Sequence, residues 1–147
     1  MNPPANLIWT QRLQAILAEF DCQTGTLHRC PPDGPELELV CHIGVPEGLL
    51  PKITTIPFGK GIAGAAAATR APVELCNLQQ DLGGVAKPDA RQTKVCGSLA
   101  VPVLEPQNGR VIGTLGIGKI IPHDFSVEEK ACLTRHAEAI ARDLQAP

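Results

Sequence analysis

The sequence predicts a single α+β domain in which helices cover a small antiparallel sheet. Three observations indicate this class. Amphipathic helical patterns stand near the two ends of the chain, whereas the segments between them are short and apolar. The 14 glycines and 14 prolines supply turns between many short elements. At 147 residues the chain has the length of one domain, which we expect to span residues 1–147.

The first half of the chain predicts a helix followed by a hairpin. The helix runs from Asn6 to Asp21, because apolar residues recur there at spacings of three and four. Strands at Thr24 to Cys30 and Glu36 to Ile43 flank a proline-rich loop. Alternation in the second strand predicts one covered face, made of Leu37, Leu39, Cys41 and Ile43.

The middle of the chain predicts short elements around a glycine-rich turn. A short helix at Val45 to Lys52 and a strand at Ile53 to Phe58 precede the turn. A compact helix follows at Ile62 to Thr69 and ends before a proline. A brief strand, Val73 to Cys76, leads into an irregular stretch at 77–95, and long loops of this kind are often functional.

A second hairpin and a capped helix complete the sheet. Strands at Gly97 to Leu104 and Arg110 to Ile121 are joined by an Asn-Gly turn. The second of these strands has a small face that either packs closely against a helix or lines a cavity. Its small residues are Thr114, Gly116 and Gly118, and its large ones are Val111, Leu115 and Ile117.

Ser126 and Glu129 have the spacing of a capping box, which predicts the start of the last helix. The first and last helices each have one apolar face. We therefore expect the two helices to pack together on one face of the sheet.

Composition and charge exclude several functions. The 13 basic and 15 acidic residues give a net charge of −2 with no basic patch, which disfavours nucleic-acid binding. No apolar run approaches the roughly 18 residues of a membrane span, and the N-terminus lacks a secretory pattern. We therefore expect a cytoplasmic protein with reduced thiols. The histidines and cysteines show no metal-ligand spacing, so neither a metal nor a cofactor is expected.

The turn at 59–64, Gly-Lys-Gly-Ile-Ala-Gly, matches the pattern G-x-G-x-x-G, with Asp81 downstream. A dinucleotide fold does not fit, because the following helix is too short for a parallel crossover. What remains is a helix N-terminus whose amides at Ile62, Ala63 and Gly64 suit a small anion. The alternative is that the glycines only form the turn.

The irregular stretch supplies further candidates. Asp81, Lys87 and Arg91 would contact a polar ligand if the loop folds over the sheet, and otherwise belong to a solvated loop. Cys76 and Cys96 stand on either side of this loop, which leaves two interpretations open: thiol redox chemistry or inert, buried cysteines.

The order of motifs resembles that of a GAF domain. The similar segments are ITTIPFGKGIAGAAAAT (53–69), PVELCNL (72–78), GSLAVPVLEPQNGRVIGTLGIGK (97–119) and the capped helix from Phe125. The resemblance implies an antiparallel sheet of five or six strands with the first and last helices on one face. It also implies a ligand cavity on the other face, beneath variable loops.

Two stand-alone GAF families are similar here. Nitrate-receptor GAF proteins, which modulate a partner histidine kinase, share GKGIAG, and their anion-holding amides correspond to Ile62 and Ala63. Their tryptophan has no counterpart near this site, because Trp9 lies in the first helix. Free methionine-R-sulfoxide reductases are similar in the FGKGIAGAAAAT region, but Ala63 replaces a cysteine of theirs and the following loop lacks the others.

The sequence therefore predicts a non-catalytic sensor or regulatory module for a small polar or anionic ligand. A separate partner, such as a histidine kinase, would receive the signal, and the terminal helices could form a homodimer. Two alternatives remain open: a thiol-dependent reductase that uses Cys76 or Cys96, and a dimerisation scaffold.

Overall fold

The computed structural model describes residues 5–32, 34–75 and 96–144. They form a six-stranded antiparallel sheet with helices, which confirms the predicted fold class. The α-helices and strands in chain order are α1 (Ala5–Phe20), β1 (Thr24–Arg29), β2 (Glu36–Ile43), α2 (Leu50–Ile53), β3 (Thr55–Pro57), α3 (Gly61–Thr69), β4 (Val73–Leu75), β5 (Gly97–Leu104), β6 (Val111–Lys119) and α4 (Val127–Leu144), and a 3-10 helix, Glu47–Leu49, precedes α2. The strand order in the sheet is β3-β2-β1-β6-β5-β4.

The helices α1 and α4 pack on one face of the sheet, as predicted, and we call this the helical face. The main core lies between these two helices and strands β1, β2, β5 and β6. Its fully buried side chains include Leu13, Leu27, Leu115, Leu133 and Ile140. Burial of these apolar side chains provides most of the driving force for folding.

A buried lysine caps the C-terminal end of α1. Lys119, at the end of β6, is 8% exposed, and its Nζ donates to the Phe20 carbonyl at 2.6 Å and the Asp21 carbonyl at 3.2 Å. The last carbonyls of a helix lack partners within the helix, and a cation stabilises that end of the helix dipole. Lys119 therefore fixes the end of α1 against the sheet.

The predicted capping box begins α4. The Ser126 hydroxyl oxygen accepts from the Glu129 amide at 3.0 Å, and Glu129 Oε1 accepts from the Ser126 amide at 2.9 Å. Burial raises the pKa of Glu129, but the Ser126 amide and the His123 ring outweigh it and lower that pKa below its ordinary value. The capping carboxylate is therefore ionised at neutral pH.

The opposite face of the sheet carries α3, and we call it the α3 face. Its apolar cluster is small, with Leu37, Ala67 and Val111 at the centre. Two predicted strand faces are wrong at this point. Val111 does not share a face with Leu115, and Leu37 does not share one with Cys41, because each pair is divided between the two clusters.

The cause is a register shift in each hairpin. His28 pairs with Leu39 although Leu27 pairs with Cys41, which leaves Val40 as an extra residue. Leu104 pairs with Val111 although Val103 pairs with Gly113. An extra residue in one strand turns the following side chains to the other face. The bulges thus move Leu37 and Val111 to the α3 face.

Across residues 5–32, 34–75 and 96–144, none of the helices has both the length and the apolar character that a membrane crossing would require.

Candidate functional site

Two rows of side chains cross the middle of the α3 face. In one row His28 of β1 pairs with Thr114 of β6. In the next row His42 pairs with Thr26, which in turn pairs with Gly116. Side chains of directly opposite residues in neighbouring strands lie on the same face. The sheet therefore places polar and small side chains together on the α3 face.

His28 is 1% exposed and has one nitrogen engaged. Its Nε2 lies 2.9 Å from the Ile53 carbonyl, and because a carbonyl only accepts, Nε2 carries the proton and donates. Burial lowers the pKa of His28, against the opposing effect of the Ile53 hydrogen bond. The ring is therefore neutral at pH 7, and Nδ1 presents a lone pair.

That lone pair has no hydrogen-bond partner in the part of the chain that the structure describes. The same holds for Thr114 Oγ1, in a side chain that is 1% exposed, and for His42 Nδ1. A buried polar atom left unpaired costs about 1 to 3 kcal/mol, and native proteins carry few of them. Three on one face of one sheet favour a ligand that completes their hydrogen bonds.

The surroundings of Gly116 test whether the small face of β6 packs closely against a helix. A Cβ built at Gly116 would lie 3.1 Å from Thr26 Oγ1 and 3.9 Å from the Leu99 carbonyl oxygen, with no helix atom of the described residues within 4 Å. The small residue thus makes room for a threonine hydroxyl on the sheet surface. Close packing of a helix, one of the two predicted alternatives, is not what Gly116 provides.

The glycine-rich turn has a clear structural role at the start of α3. Gly59 and Gly61 have positive φ angles of 88° and 65°, which glycine adopts readily. A Cβ at Gly64 would lie 2.6 Å from the Pro57 carbonyl oxygen. The Gly64 amide donates to the Lys60 carbonyl at 3.1 Å, so Gly64 serves packing and helix formation.

The amides of Ile62 and Ala63 belong to the first turn of α3, where backbone N–H groups have no acceptor within the helix. The N-cap residue, Lys60, makes no side-chain capping bond. These two amides are therefore the members of the predicted anion site that keep a donor for a ligand.

The remaining predicted residues divide into two groups. Asp81, Lys87, Arg91 and Cys76 lie outside the described residues. Cys96 is half-buried just before β5, and its amide donates to the Lys119 carbonyl at 2.7 Å.

Two further cysteines, Cys22 and Cys41, are unsuited to thiol chemistry. Burial raises the pKa of each thiol to about 11, which makes both thiols poor nucleophiles at neutral pH.

The sequence missed His28 and His42 as site residues because its histidines were judged only by metal-ligand spacing. A weak signal was present: His28 alternates with Leu27 in a short strand, which sets a polar ring on the face opposite a core residue. Its pairing with Thr114 requires strand neighbours that are far apart in sequence.

The sequence model of the GAF domain family matches residues 10–144. This chain belongs to the GAF family. A search of curated protein sequences gives no match.

Several solved structures have the same fold as this chain at low sequence identity. The GAF domain of a phosphoenolpyruvate-protein phosphotransferase from Coxiella burnetii has a TM-score of 0.79 at 20% identity, over 97% of this chain and 83% of that one. The type II free methionine-R-sulfoxide reductase of Thermoplasma acidophilum has a TM-score of 0.74 at 18% identity, over 95% and 92%. A domain from a protein named as a two-component sensor histidine kinase of Sinorhizobium meliloti 1021 has a TM-score of 0.73 at 15% identity, over 98% and 93%.

GAF domains are common sensory and regulatory modules, and the similar structures include a free methionine-R-sulfoxide reductase and a domain of a protein named as a sensor histidine kinase. At these identities the similarity shows the fold of the chain alone.

Proposed function

We propose that this GAF domain is a non-catalytic sensor that binds a small polar ligand on the α3 face. The observation that carries the proposal is the pair of unpartnered atoms His28 Nδ1 and Thr114 Oγ1, each on a side chain that is 1% exposed. Evolution tolerates unpaired buried polar atoms chiefly where a bound group or function compensates for them.

The chemistry of these atoms narrows the ligand class. Neutral His28 presents an acceptor, so its complement on the ligand is an N–H or O–H donor. The first-turn amides of Ile62 and Ala63 are donors, and they suit an anionic group. A small molecule with both an anionic group and a hydrogen-bond donor matches this face better than nitrate, which has no donor. The loop residues Asp81, Lys87 and Arg91 would add polar contacts to the same ligand.

A thermal-shift experiment on the reduced protein tests this with three probes: nitrate, nitrite and free methionine sulfoxide, whose ammonium and carboxylate supply both features. A probe at one hundred times its Kd adds about 2.7 kcal/mol to the free energy of unfolding, which moves the Tm by several degrees. We expect methionine sulfoxide to shift the Tm more than either anion. No shift with any probe would overturn the proposal in this form.

Substitution Thr114→Val then locates the site, because it removes the hydroxyl and keeps the side-chain shape. We expect the Kd of the bound probe to rise about tenfold, which corresponds to about 1.4 kcal/mol. The matched control is Thr134→Val on α4, where the hydroxyl donates to the Lys130 carbonyl at 2.8 Å. Equal binding by both variants would exclude Thr114 from the site.

The reductase alternative makes a different prediction about the thiols. A reductase would turn over methionine-R-sulfoxide with an added thiol reductant and would lose turnover in Cys96→Ser or Cys76→Ser. A sensor keeps its binding in both variants and shows no turnover. Turnover that depends on either thiol would therefore replace the sensor proposal.

We further propose that the module works in the cytoplasm and signals through a separate protein such as a histidine kinase. Similarity to a domain of a sensor histidine kinase protein supports this class of partner. Leu7 and Ile8 of α1 are 44% and 51% exposed, which supports association of two copies through the terminal helices. Sedimentation with and without the bound probe tests the dimer. A stable dimer that binds no probe would instead favour the dimerisation scaffold.

A further inference from the structure

A second cluster of chemically reactive side chains lies outside the α3 face, where the end of α1 meets the middle of α4. We call Glu19, Cys132 and His136 the interhelical cluster. Glu19 Oε1 lies 3.1 Å from Cys132 Sγ, and Glu19 Oε2 lies 2.9 Å from His136 Nε2. One ligand atom from each of the three residues can be chosen so that all lie within 4.8 Å of one another.

The fold brings these groups together. Cys132 and His136 are four residues apart on α4, and side chains at that spacing share one face of a helix. Glu19 stands in the last turn of α1, which packs beside α4. The Phe20 ring meets the His136 ring edge-on, with 6.2 Å between centroids, and so restrains its orientation.

A thiolate, an imidazole and a carboxylate are all ligands of zinc. At zinc bond lengths, tetrahedral geometry separates neighbouring ligand atoms by about 3.4 to 3.6 Å. The three chosen ligand atoms lie within 4.8 Å of one another, so zinc binding requires the side chains to turn toward one ion without movement of the helices. Hard cations such as Mg²⁺ prefer an all-oxygen set, so the sulfur and nitrogen donors favour zinc over them.

Exposure and charge also suit a metal ion. The side chains of His136 and Glu19 are 31% and 50% exposed, so an ion can enter from solvent. A Cys132 thiolate and the Glu19 carboxylate together balance two positive charges. Arg135 lies close enough to act electrostatically on Cys132 and Glu19, and its positive charge opposes the binding of a cation.

We propose that Glu19, Cys132 and His136 bind one Zn²⁺ ion and thereby join α1 to α4, with water as the fourth ligand. On binding, the Cys132 Sγ–H bond breaks and its proton leaves to solvent, while a zinc–sulfur bond forms. His136 binds through unprotonated Nε2, so its ring proton moves to Nδ1. No electron is transferred, and the site is independent of the ligand proposed for the α3 face.

No metal site was expected from the sequence, because the ligands come from two helices and from three residue types. Cys-x-x-x-His on α4 is too common a spacing to indicate a site by itself. Only the packing of α1 against α4 adds Glu19.

Titration of the reduced, metal-free protein with Co²⁺ tests the proposal directly. A thiolate bound to Co²⁺ gives a sulfur-to-metal charge-transfer band in the near ultraviolet, and a tetrahedral site adds visible bands. We expect these bands to saturate at one equivalent and to disappear when Zn²⁺ is added. Zn²⁺ should also raise the Tm, because it binds the folded state.

Variants separate this cluster from the other thiols and histidines. Cys132→Ser should abolish the charge-transfer band, and His136→Gln and Glu19→Gln should each weaken binding at least tenfold. Cys22→Ser is the thiol control, since Cys22 is half-buried and its thiol faces the Phe20 carbonyl. His123→Gln is the histidine control, because His123 pairs with Glu129 at 2.9 Å and, in the described part of the chain, belongs to no three-residue group of possible metal ligands.

The outcomes are distinguishable because all three ligands lie at the surface of folded helices, and circular dichroism verifies that each variant folds. Absence of a charge-transfer band in the native protein would overturn the proposal. So would a band that persists in Cys132→Ser or is lost in Cys22→Ser.

Discussion

The two faces of the sheet differ in how completely their side chains are paired and packed. The helical face buries a large apolar cluster between α1, α4 and four strands, and its buried lysine has two carbonyl partners. The α3 face has a small apolar cluster and three buried polar atoms without partners among the described residues. Apolar packing is thus concentrated on the helical face, whereas the α3 face keeps the unpaired polar groups that we propose bind a ligand.

The largest expected effect is the loss of core packing on the helical face. Leu115→Ala removes a side chain that is 0% exposed from the main core, and we expect a loss of about 3 to 5 kcal/mol. Leu37→Ala, equally buried in the small cluster, should cost less, about 2 kcal/mol, because fewer apolar neighbours surround it. Urea unfolding measures both. A larger loss for Leu37→Ala would reverse the comparison.

The surface control for this pair is Leu7→Ala, since Leu7 is 44% exposed. Its effect should stay within about 0.5 kcal/mol.

Removal of the buried lysine comes next. Lys119→Met leaves the Phe20 and Asp21 carbonyls without their charged donor, and we expect a loss of about 2 kcal/mol in urea unfolding. Lys130→Met is the matched control, because Lys130 forms an accessible ion pair with Glu74 that should contribute less than about 1 kcal/mol. Similar losses for the two lysines would show that Lys119 is not a structural cap.

On the α3 face, His28 should make the free energy of unfolding depend on pH. The folded-state pKa of His28 lies below its ordinary value of 6.5, so the unfolded chain takes up a proton first as the pH falls. The contribution of His28 to stability is therefore complete above pH 6.5 and is lost progressively below it. His28→Gln keeps a donor for the Ile53 carbonyl without titrating.

The measurement is urea unfolding of both proteins on either side of pH 6.5, the ordinary pKa of histidine. The native protein should lose more stability on acidification than the variant. Parallel losses would mean that His28 has the same pKa in the folded and unfolded states.

The last comparison concerns Thr114→Val, which we expect to cause no loss of stability. The hydroxyl has no partner among the described residues, so its removal relieves a buried polar group and leaves no other group unpaired. We expect the free energy of unfolding without ligand to stay the same or to rise by up to about 1 kcal/mol. Any measurable loss of stability would indicate that the hydroxyl serves the fold.

Local signals in the sequence predicted most of the elements. The apolar spacing predicted a helix at Asn6 to Asp21, and α1 is Ala5–Phe20. The pair Ser126 and Glu129 predicted the capping box that begins α4. These predictions succeeded because helix periodicity and caps depend on residues within one or two turns.

The candidate sites were predicted less well. Ile62 and Ala63 could be placed from the glycine-rich turn because α3 begins directly after it. The faces of Leu37 and Val111 were wrong, because a bulge depends on how two strands pair and leaves little trace in the alternation of one strand. The pairing of His28 with Thr114 was likewise not predicted, because it depends on which two strands are neighbours in the sheet.

The sequence by itself determined the α+β class, the order of helices and strands and the family, because these follow from local periodicity, turns and motif order. The tertiary structure alone decided which polar atoms are buried without partners and which helices bring Glu19 to Cys132 and His136. The physical reason is that burial and metal-ligand distances arise between residues remote in the chain. Only the packed sheet and its two faces fix those distances.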